Sequence, residues 1–571
     1  MLNFFGLCWS KYIAYSRIDT DSKMKKYLFV AFFLSTFILF AKPASLNLNS
    51  SEIQHEKIYS NPVIHADYSD PDVVASPDST IFYMTASSFE QAPGLPILKS
   101  TDLVKWQLVN YALKEVPPVE VYGDGRTHHG KGVWAPCIKY HNGEYYIYWG
   151  DPDFGIFMIK TDNPEGEWST PILVKSGKGF IDPTPFWDED GKAYIANGWA
   201  ASRVGFNSVI TINEMTPDGT STISEPVIIY DANDGVNYTM EGPKLYKKNG
   251  YYYLFAPAGG VAQGWQTVLR SKDIYGPYEA KIVMKQGASP INGPHQGAWV
   301  TTDAGEDWFL HFQDKGPYGR VVHLNPMKWH DDWPVIGVDE DGDGCGEPVT
   351  QYRYPKIKNK YTPQHSEENI VNQFQWHANR QDIFGFKLPG NLLRIYSHQI
   401  DGEEINLWEV PNLWLAKFPA ETFSFITNVK ISSKYASRGV SSGIVIMGID
   451  YCRLGLTVDG DKFLLQLATC HDAENGGKEE IKDIAVINPS KIYGSTSSPN
   501  MEAEISFKIE VDKNAECHFF YSLNKDSFVE LPMTFHATHG RWIGAKVGFY
   551  SIMPQNISGK GWIDIRNVIL E

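Results

Sequence analysis

Between residues 60 and 340 the chain repeats one phrase, a polar turn followed by a short aromatic-rich strand, and this recurrence constrains the fold more than any other feature. The instances are Asp78-Ser-Thr-Ile-Phe-Tyr-Met-Thr-Ala86, Asn142-Gly-Glu-Tyr-Tyr-Ile-Tyr-Trp-Gly150, Asp190-Gly-Lys-Ala-Tyr-Ile-Ala-Asn-Gly198, Asn249-Gly-Tyr-Tyr-Tyr-Leu-Phe-Ala256 and Gly305-Glu-Asp-Trp-Phe-Leu-His-Phe312. With Tyr83, Tyr146, Tyr194, Tyr252 and Phe309 as markers the spacings are 63, 48, 58 and 57 residues, which suits one four-stranded blade per interval. Asn-Gly and Asp-Gly are hairpin-turn chemistry. Three intervals continue into a second phrase that predicts an outer hairpin: Lys99-Ser-Thr-Asp-Leu-Val-Lys-Trp106, Lys160-Thr-Asp-Asn-Pro-Glu-Gly-Glu-Trp168 and Arg270-Ser-Lys-Asp-Ile-Tyr-Gly-Pro-Tyr278. Aromatic strands can resemble one another by chance, but five ordered recurrences predict a five-bladed β-propeller over residues 58–340.

The pattern ends at Trp333-Pro-Val-Ile-Gly337. An acidic stretch, Asp339-Glu-Asp-Gly-Asp-Gly344, opens a linker over 341–365, whose Tyr352, Tyr354 and Tyr361 are unusually aromatic for a free tether and predict docking. From 366 to 571 the strands alternate differently. Phe423-Ser-Phe-Ile-Thr-Asn-Val-Lys-Ile431, Gly443-Ile-Val-Ile-Met447, Ile505-Ser-Phe-Lys-Ile-Glu-Val511 and their neighbours carry turn signals and no helical spacing, which reads as a β-sandwich. The whole chain is therefore expected to be all-β.

Charge and cysteines narrow the function. Lys plus Arg number 51 and Asp plus Glu 67, so the net charge of −16 offers no basic face for nucleic acid or an anionic lipid surface. The six cysteines show neither zinc spacing nor a disulfide framework. The one long apolar run, Tyr27 to Ala41, follows Lys25 and Lys26 and is fifteen residues long. That is short for a membrane span and suits an export signal cleaved after Ala41 or Ala44, so residues 1–44 read as a signal region whose true start is Met24. The expected mature protein is periplasmic or secreted, with no membrane span. Cys8 follows Phe5-Gly6-Leu7, which lacks the small residue a lipoprotein processing site wants.

A propeller gathers its inner strands around one funnel, so acids distant in sequence can converge there. Three stand in similar settings: Asp70 in Asp67-Tyr-Ser-Asp-Pro-Asp-Val73, Asp182 in Phe180-Ile-Asp-Pro-Thr-Pro-Phe186, and Glu241 in Met240-Glu-Gly-Pro-Lys-Leu-Tyr246. Each precedes Pro directly or after one Gly, and Pro stiffens the chain without joining the ladder. At these residues the sequence resembles the family 43 glycoside hydrolases. The likeness covers Asn61-Pro-Val-Ile, Ser69-Asp-Pro-Asp, Gly94 to Trp106, Val133-Trp-Ala-Pro136, Ile181-Asp-Pro183 and Glu241-Gly-Pro243, in the family's order. It implies an inverting exo-hydrolase releasing terminal α-L-arabinofuranosyl or β-D-xylosyl units from plant cell-wall carbohydrate. It also implies a concanavalin-like carboxy-terminal sandwich with a loop near the sugar pocket.

Carried over by this resemblance, Asp70 is the general base, Asp182 the orienting and pKa-tuning acid, and Glu241 the general acid. Inversion needs a carboxylate that activates water and a protonated acid about 6.5–9.5 Å away. A nearby negative charge raises the acid's pKa, which is the part assigned to Asp182. Asp72 shares strand parity with Asp70, so alternation leaves it open as a rival base, and the resemblance selects Asp70; Asp67 reads as the start of the strand. Arg320 matches an Arg that reaches sugar hydroxyls, while Trp134, Phe89 and Phe186 are candidate pocket walls. His295 matches an axial histidine that in relatives faces a calcium ion through water, so a structural calcium is expected there and no other cofactor. Asp339 to Gly344 copies the start of an EF-hand loop, but Thr350 stands at the twelfth position, and it reads as an acidic turn. A noncatalytic carbohydrate-binding propeller is the competing reading, against which the intact acids argue. A retaining fructan-cleaving propeller would need Asn-Asp-Pro-Asn-Gly, which the sequence lacks.

Overall fold

In the turns that recur along the chain, both central residues take left-handed backbone: φ is 48° at Asn142 and 90° at Gly143, and 52° at Asn249 and 77° at Gly250. That conformation matches the twist of a two-residue hairpin, so each turn folds the first strand of a blade back onto the second. The computed structural model describes residues 57–359, 370–389, 392–400, 405–493, 500–524, 527–555, 557 and 559–571. The signal region, Cys8 and Tyr361 lie outside the described residues.

Five four-stranded antiparallel sheets follow one another in chain order. Their first strands, Asp72–Ala75, Trp134–His141, Phe180–Trp187, Lys244–Lys248 and His295–Thr301, form the inner ring of a five-bladed propeller. The aromatic phrases form the second strands. These are buried on both faces because each blade is sandwiched by its neighbours: Phe82 and Met84 pack toward Trp308 and Val322 of the fifth blade, while Tyr83 packs toward Ile138 and Ile147 of the second. The same division recurs between the other blades, so the propeller's hydrophobic interior is a set of five inter-blade layers. The ring is cinched by the chain that enters and leaves it. Ile58–Ser60 pairs with Gln351–Arg353, and the Tyr59 hydroxyl donates to the Leu324 carbonyl of blade five at 2.7 Å. Tyr354 of the linker packs edge-on against Tyr59, so this stretch is docked.

Two eight-stranded antiparallel-dominated sheets form the sandwich. Strand Phe423–Ser433 illustrates why: Phe423, Phe425, Val429 and Ile431 belong to the common core, and Ser424, Ile426, Asn428 and Lys430, on the other face, are half-buried. The sandwich docks on blades one and five. Trp376 and Ala92 exchange backbone hydrogen bonds, and Asn379 both accepts from and donates to the Val116 backbone at 2.7 and 2.9 Å. The Tyr318 hydroxyl accepts from Ala515 N–H at 2.8 Å. Cys137, Cys345, Cys452, Cys470 and Cys517 are buried and unbridged.

Candidate active site

The inner strands share a break near their amino-terminal ends. Asp70, Ala135, Asp182, Gly242 and Gln296 all take left-handed backbone, with φ of 55°, 35°, 55°, 63° and 34°. Proline follows the first four, and the ladder slips between Trp134 and Cys137, Ile181 and Thr184, and His295 and Gly297. A non-glycine residue in this region is strained, and such strain persists only where the surroundings enforce it. Here the break turns side chains and unpaired amides toward the axis, which is how acids far apart in sequence come to face one cavity.

That cavity, of about 240 Å³, is lined by Asp70, Asp182, Glu241, Arg320 and His295, with aromatic walls. Asp70 is buried; its Oδ2 accepts from the Ser87 hydroxyl at 2.6 Å, and its Oδ1 lies 3.4 Å from Arg320 Nη1. Asp182 is buried, and its Oδ2 accepts from Gly242 N–H at 2.7 Å and Gln296 Nε2 at 3.5 Å. Burial and then the Asp70 charge push its carboxyl up, while the Gly242 amide and Lys244 pull the other way. The His295 imidazole stands beside the Glu241 carboxylate, Nε2 3.6 Å from Oε1. Desolvation in the funnel wall, then the charges of Asp182 and Asp70, raise Glu241 well above the ordinary carboxylate range, with Arg320 opposing. Among the described residues no donor reaches the Glu241 carboxylate, whereas Asp182 accepts two hydrogen bonds that favour its ionised form, so of the two raised acids Glu241 is the one that keeps its proton. Burial, with Arg320 and His311, holds His295 down to about 3, so its imidazole is neutral and does not hold Glu241 ionised.

Phe89 and Trp134 line the cavity, their rings 6.5 Å apart and edge-on. Phe186 does not. It shares the strand of Asp182, but four residues at about 3.3 Å each place it at the opposite end, where it packs near Tyr252 and faces a separate pocket with Trp187 and Tyr246. Sharing a strand with Asp182 does not bring a side chain to the same end of it. Asp72 turns beneath the floor: its Oδ2 accepts from Ile138 N–H at 2.7 Å and lies 3.8 Å from the buried Lys244 Nζ. Asp67 is more than the start of a strand, since its carboxylate accepts from Arg320 N–H at 2.8 Å and Gly544 N–H at 3.2 Å. Asp339 folds its carboxylate onto Gly342 N–H and Gly344 N–H at 2.8 and 2.9 Å, as an acidic turn does.

The residue that sequence reasoning missed is Trp542. It comes from the sandwich loop His539-Gly-Arg-Trp-Ile-Gly544, pinned through Gly544 to Asp67, and it lines the cavity. Its ring meets Trp134 edge-on at 4.7 Å and Phe89 at 6.2 Å. A tryptophan between two glycines in a loop was the available signal, but nothing local said where the loop docks.

Comparison with known proteins agrees with this geometry. The family model described as glycosyl hydrolases family 43 matches residues 59–334, and that described as the β-xylosidase C-terminal concanavalin A-like domain matches 364–567. A protein of Xylanibacter ruminicola named as a candidate β-xylosidase is 34% identical over 87% of this chain and 86% of its own. A β-xylosidase of Formosa agariphila is 28% identical over 90% of each chain. A non-reducing-end α-L-arabinofuranosidase of Bacteroides ovatus is 30% identical over 50% of this chain and 54% of its own. Among solved structures, the xylan β-1,4-xylosidase from Bacillus halodurans shares the fold at a TM-score of 0.74, with 22% identity over 90% of this chain and 99% of that one.

Proposed function

The chain belongs to glycosyl hydrolase family 43, and from that membership and its pocket we infer an inverting exo-glycosidase that releases terminal β-D-xylosyl or α-L-arabinofuranosyl residues from plant cell-wall polysaccharides or their oligomers. The observation that carries this is the single cavity of about 240 Å³ in which Asp70, Asp182 and Glu241 meet and which Trp542 walls off on the sandwich side. Such a pocket suits a chain end rather than a chain passing through. Two relatives that align over most of the chain, 87% and 90% of it, are named as β-xylosidases, which favours xylosides. The arabinofuranosidase likeness, over half of the chain, supports the second substrate.

In this reading Asp70, ionised, takes a proton from water as the water oxygen attacks the anomeric carbon. Glu241, protonated, gives its proton to the departing glycosidic oxygen from the opposite side. Asp182 serves by its charge, holding the Glu241 proton in place, and through Gly242 it fixes the backbone next to Glu241. Arg320 brings a fixed fork of donors for sugar hydroxyls. These proton transfers involve only carboxyls and water and call for no cofactor.

The residues beside His295 fit an axial water better than a hard cation. Both imidazole nitrogens are buried without a hydrogen-bond partner among the described residues, Glu241 Oε1 stands 3.6 Å from Nε2, and a neutral imidazole is a poor ligand for a cation that takes six to eight oxygens. A water held there can bridge to calcium, and chelation followed by a melting measurement tests for it. The export reading belongs to the same proposal, and amino-terminal sequencing of the mature protein checks cleavage near Ala41 or Ala44.

Proton NMR of the first sugar released tests the mechanism. A β-D-xyloside should first yield α-D-xylose; a first-formed β anomer would overturn inversion. Absence of turnover on both nitrophenyl xylosides and arabinofuranosides would favour the noncatalytic binding propeller.

A further inference from the structure

The left-handed residue near the start of an inner strand turns its own N–H out of the ladder, and in two blades that amide has a visible destination. In blade four Gly242 donates directly to Asp182 of blade three at 2.7 Å. In blade two Ala135 donates to the Ser87 hydroxyl at 2.7 Å, and that hydroxyl donates to Asp70 Oδ2 of blade one at 2.6 Å. In both cases the blade that follows an acid hydrogen-bonds that acid, once directly and once through a serine. The neighbouring carbonyl of the same break in blade two, Pro136, accepts from Lys244 Nζ at 2.9 Å, so both unpaired groups of the break are used.

The chemistry of the serine makes this linkage directional. A hydroxyl has one proton. The Ala135 amide occupies a lone pair of Ser87 Oγ, so the proton is left for Asp70. Ser87 is buried, and its own N–H donates to the Ser69 carbonyl at 2.9 Å, which fixes the hydroxyl relative to the Asp70 backbone. The terminal torsion of an aspartate is broad; without Ser87 the carboxylate would be left to the longer 3.4 Å contact of Oδ1 with Arg320 Nη1. We propose that Ser87 is a positioning residue for the hydrolysis, a clamp that commits Asp70 Oδ2 to the protein and presents Oδ1, the oxygen facing Arg320, to the attacking water. This rests on the reading of Asp70 as the base. The charged groups that face Asp70 are Arg320 from blade five, Asp182 from blade three, and Glu241 and Lys244 from blade four; none takes the place of the clamp on Oδ2.

The test uses the full chain with Ser87→Ala, Ser87→Thr and Asp70→Asn, measuring kcat, KM, pH profile and melting on the xyloside that the enzyme turns over. A hydrogen bond to a charged group sets the scale: Ser87→Ala should lower kcat by about 10- to 100-fold with KM little changed. It should also displace the acid-side fall of kcat/KM to higher pH, because the lost bond favoured the ionised carboxylate. The loss should be equal on activated and ordinary leaving groups, since the acid is untouched, and Ser87→Thr should restore the pH profile. If Ser87→Ala does not fold, Ser87→Cys keeps the volume with a weak donor and should show the same displacement. A lowered melting temperature with an unmoved pH profile and kcat would reduce Ser87 to a stitch between blades and overturn the proposal. Full activity in Asp70→Asn would instead overturn the assignment of the base.

Discussion

Trp542→Ala separates the two things the sandwich could be doing. The residue is 40% exposed, and an indole presents up to about 250 Å², so about 100 Å² of it faces the pocket and its mouth. A sugar covering half of that removes about 50 Å² from water, or about 1.2 kcal/mol at about 25 cal/mol per Å². That corresponds to about an eightfold rise in KM. The remaining area, packed against Phe89, Trp134 and the Gly130 turn, contributes up to about 4 kcal/mol of docking as an upper bound, so melting should fall as well. Initial rates on a nitrophenyl xyloside give KM and kcat, and thermal unfolding gives the stability change. Trp542→Phe should recover part of both. A fall in melting with KM unchanged would refute the reasoning, because it would make Trp542 a fastening and not a wall.

Glu241→Gln should cost turnover by orders of magnitude on natural glycosides and less on substrates with activated leaving groups, whereas Asp70→Asn should cost the same on both; equal losses for Glu241→Gln would count against it as the acid. Asp182→Asn removes a charge that holds Glu241 protonated, so the alkaline fall of kcat/KM should move to lower pH. Because Asp182 and Glu241 both bind protons more tightly folded than unfolded, the native state loses stability as pH rises through their raised values, and a pH series of melting curves should show that slope flattened in Asp182→Asn. Truncation at residue 360 should give an insoluble or weakly active propeller, since the sandwich supplies Trp542 and the Asn379 contacts with Val116; a soluble, fully active truncate would make it a passenger.

The blades were legible because each second strand is buried on both faces, which writes aromatic residues at consecutive positions and not at alternate ones. Asp70, Asp182 and Glu241 were legible because the backbone break that aims them needs Pro or Gly beside the acid. Phe186 was misplaced because its aromatic character and its nearness in sequence to Asp182 say nothing about which end of the strand the side chain occupies. Trp542 and Ser87 were invisible for a different reason: one is brought in by a docking contact between distant parts of the chain, and the other matters only through two hydrogen bonds to residues on different blades.

The break in the inner strands also explains a difference in length among the acids. In blades one and three the acid occupies the left-handed position itself, as Asp70 and Asp182. In blade four that position is Gly242, where an added Cβ would come within 2.9 Å of the Gln296 side chain, so the acid stands one residue earlier and is a glutamate. The extra methylene makes up for the step back along the chain. Aspartate and glutamate are thus rulers cut to the backbone at each station. Exchanging one for the other keeps the functional group and its charge and moves it by about one bond, and at a reacting centre a displacement of about 1 Å can cost about 100-fold in rate. A designer who wishes to move an acid around this funnel therefore has to move the glycine first.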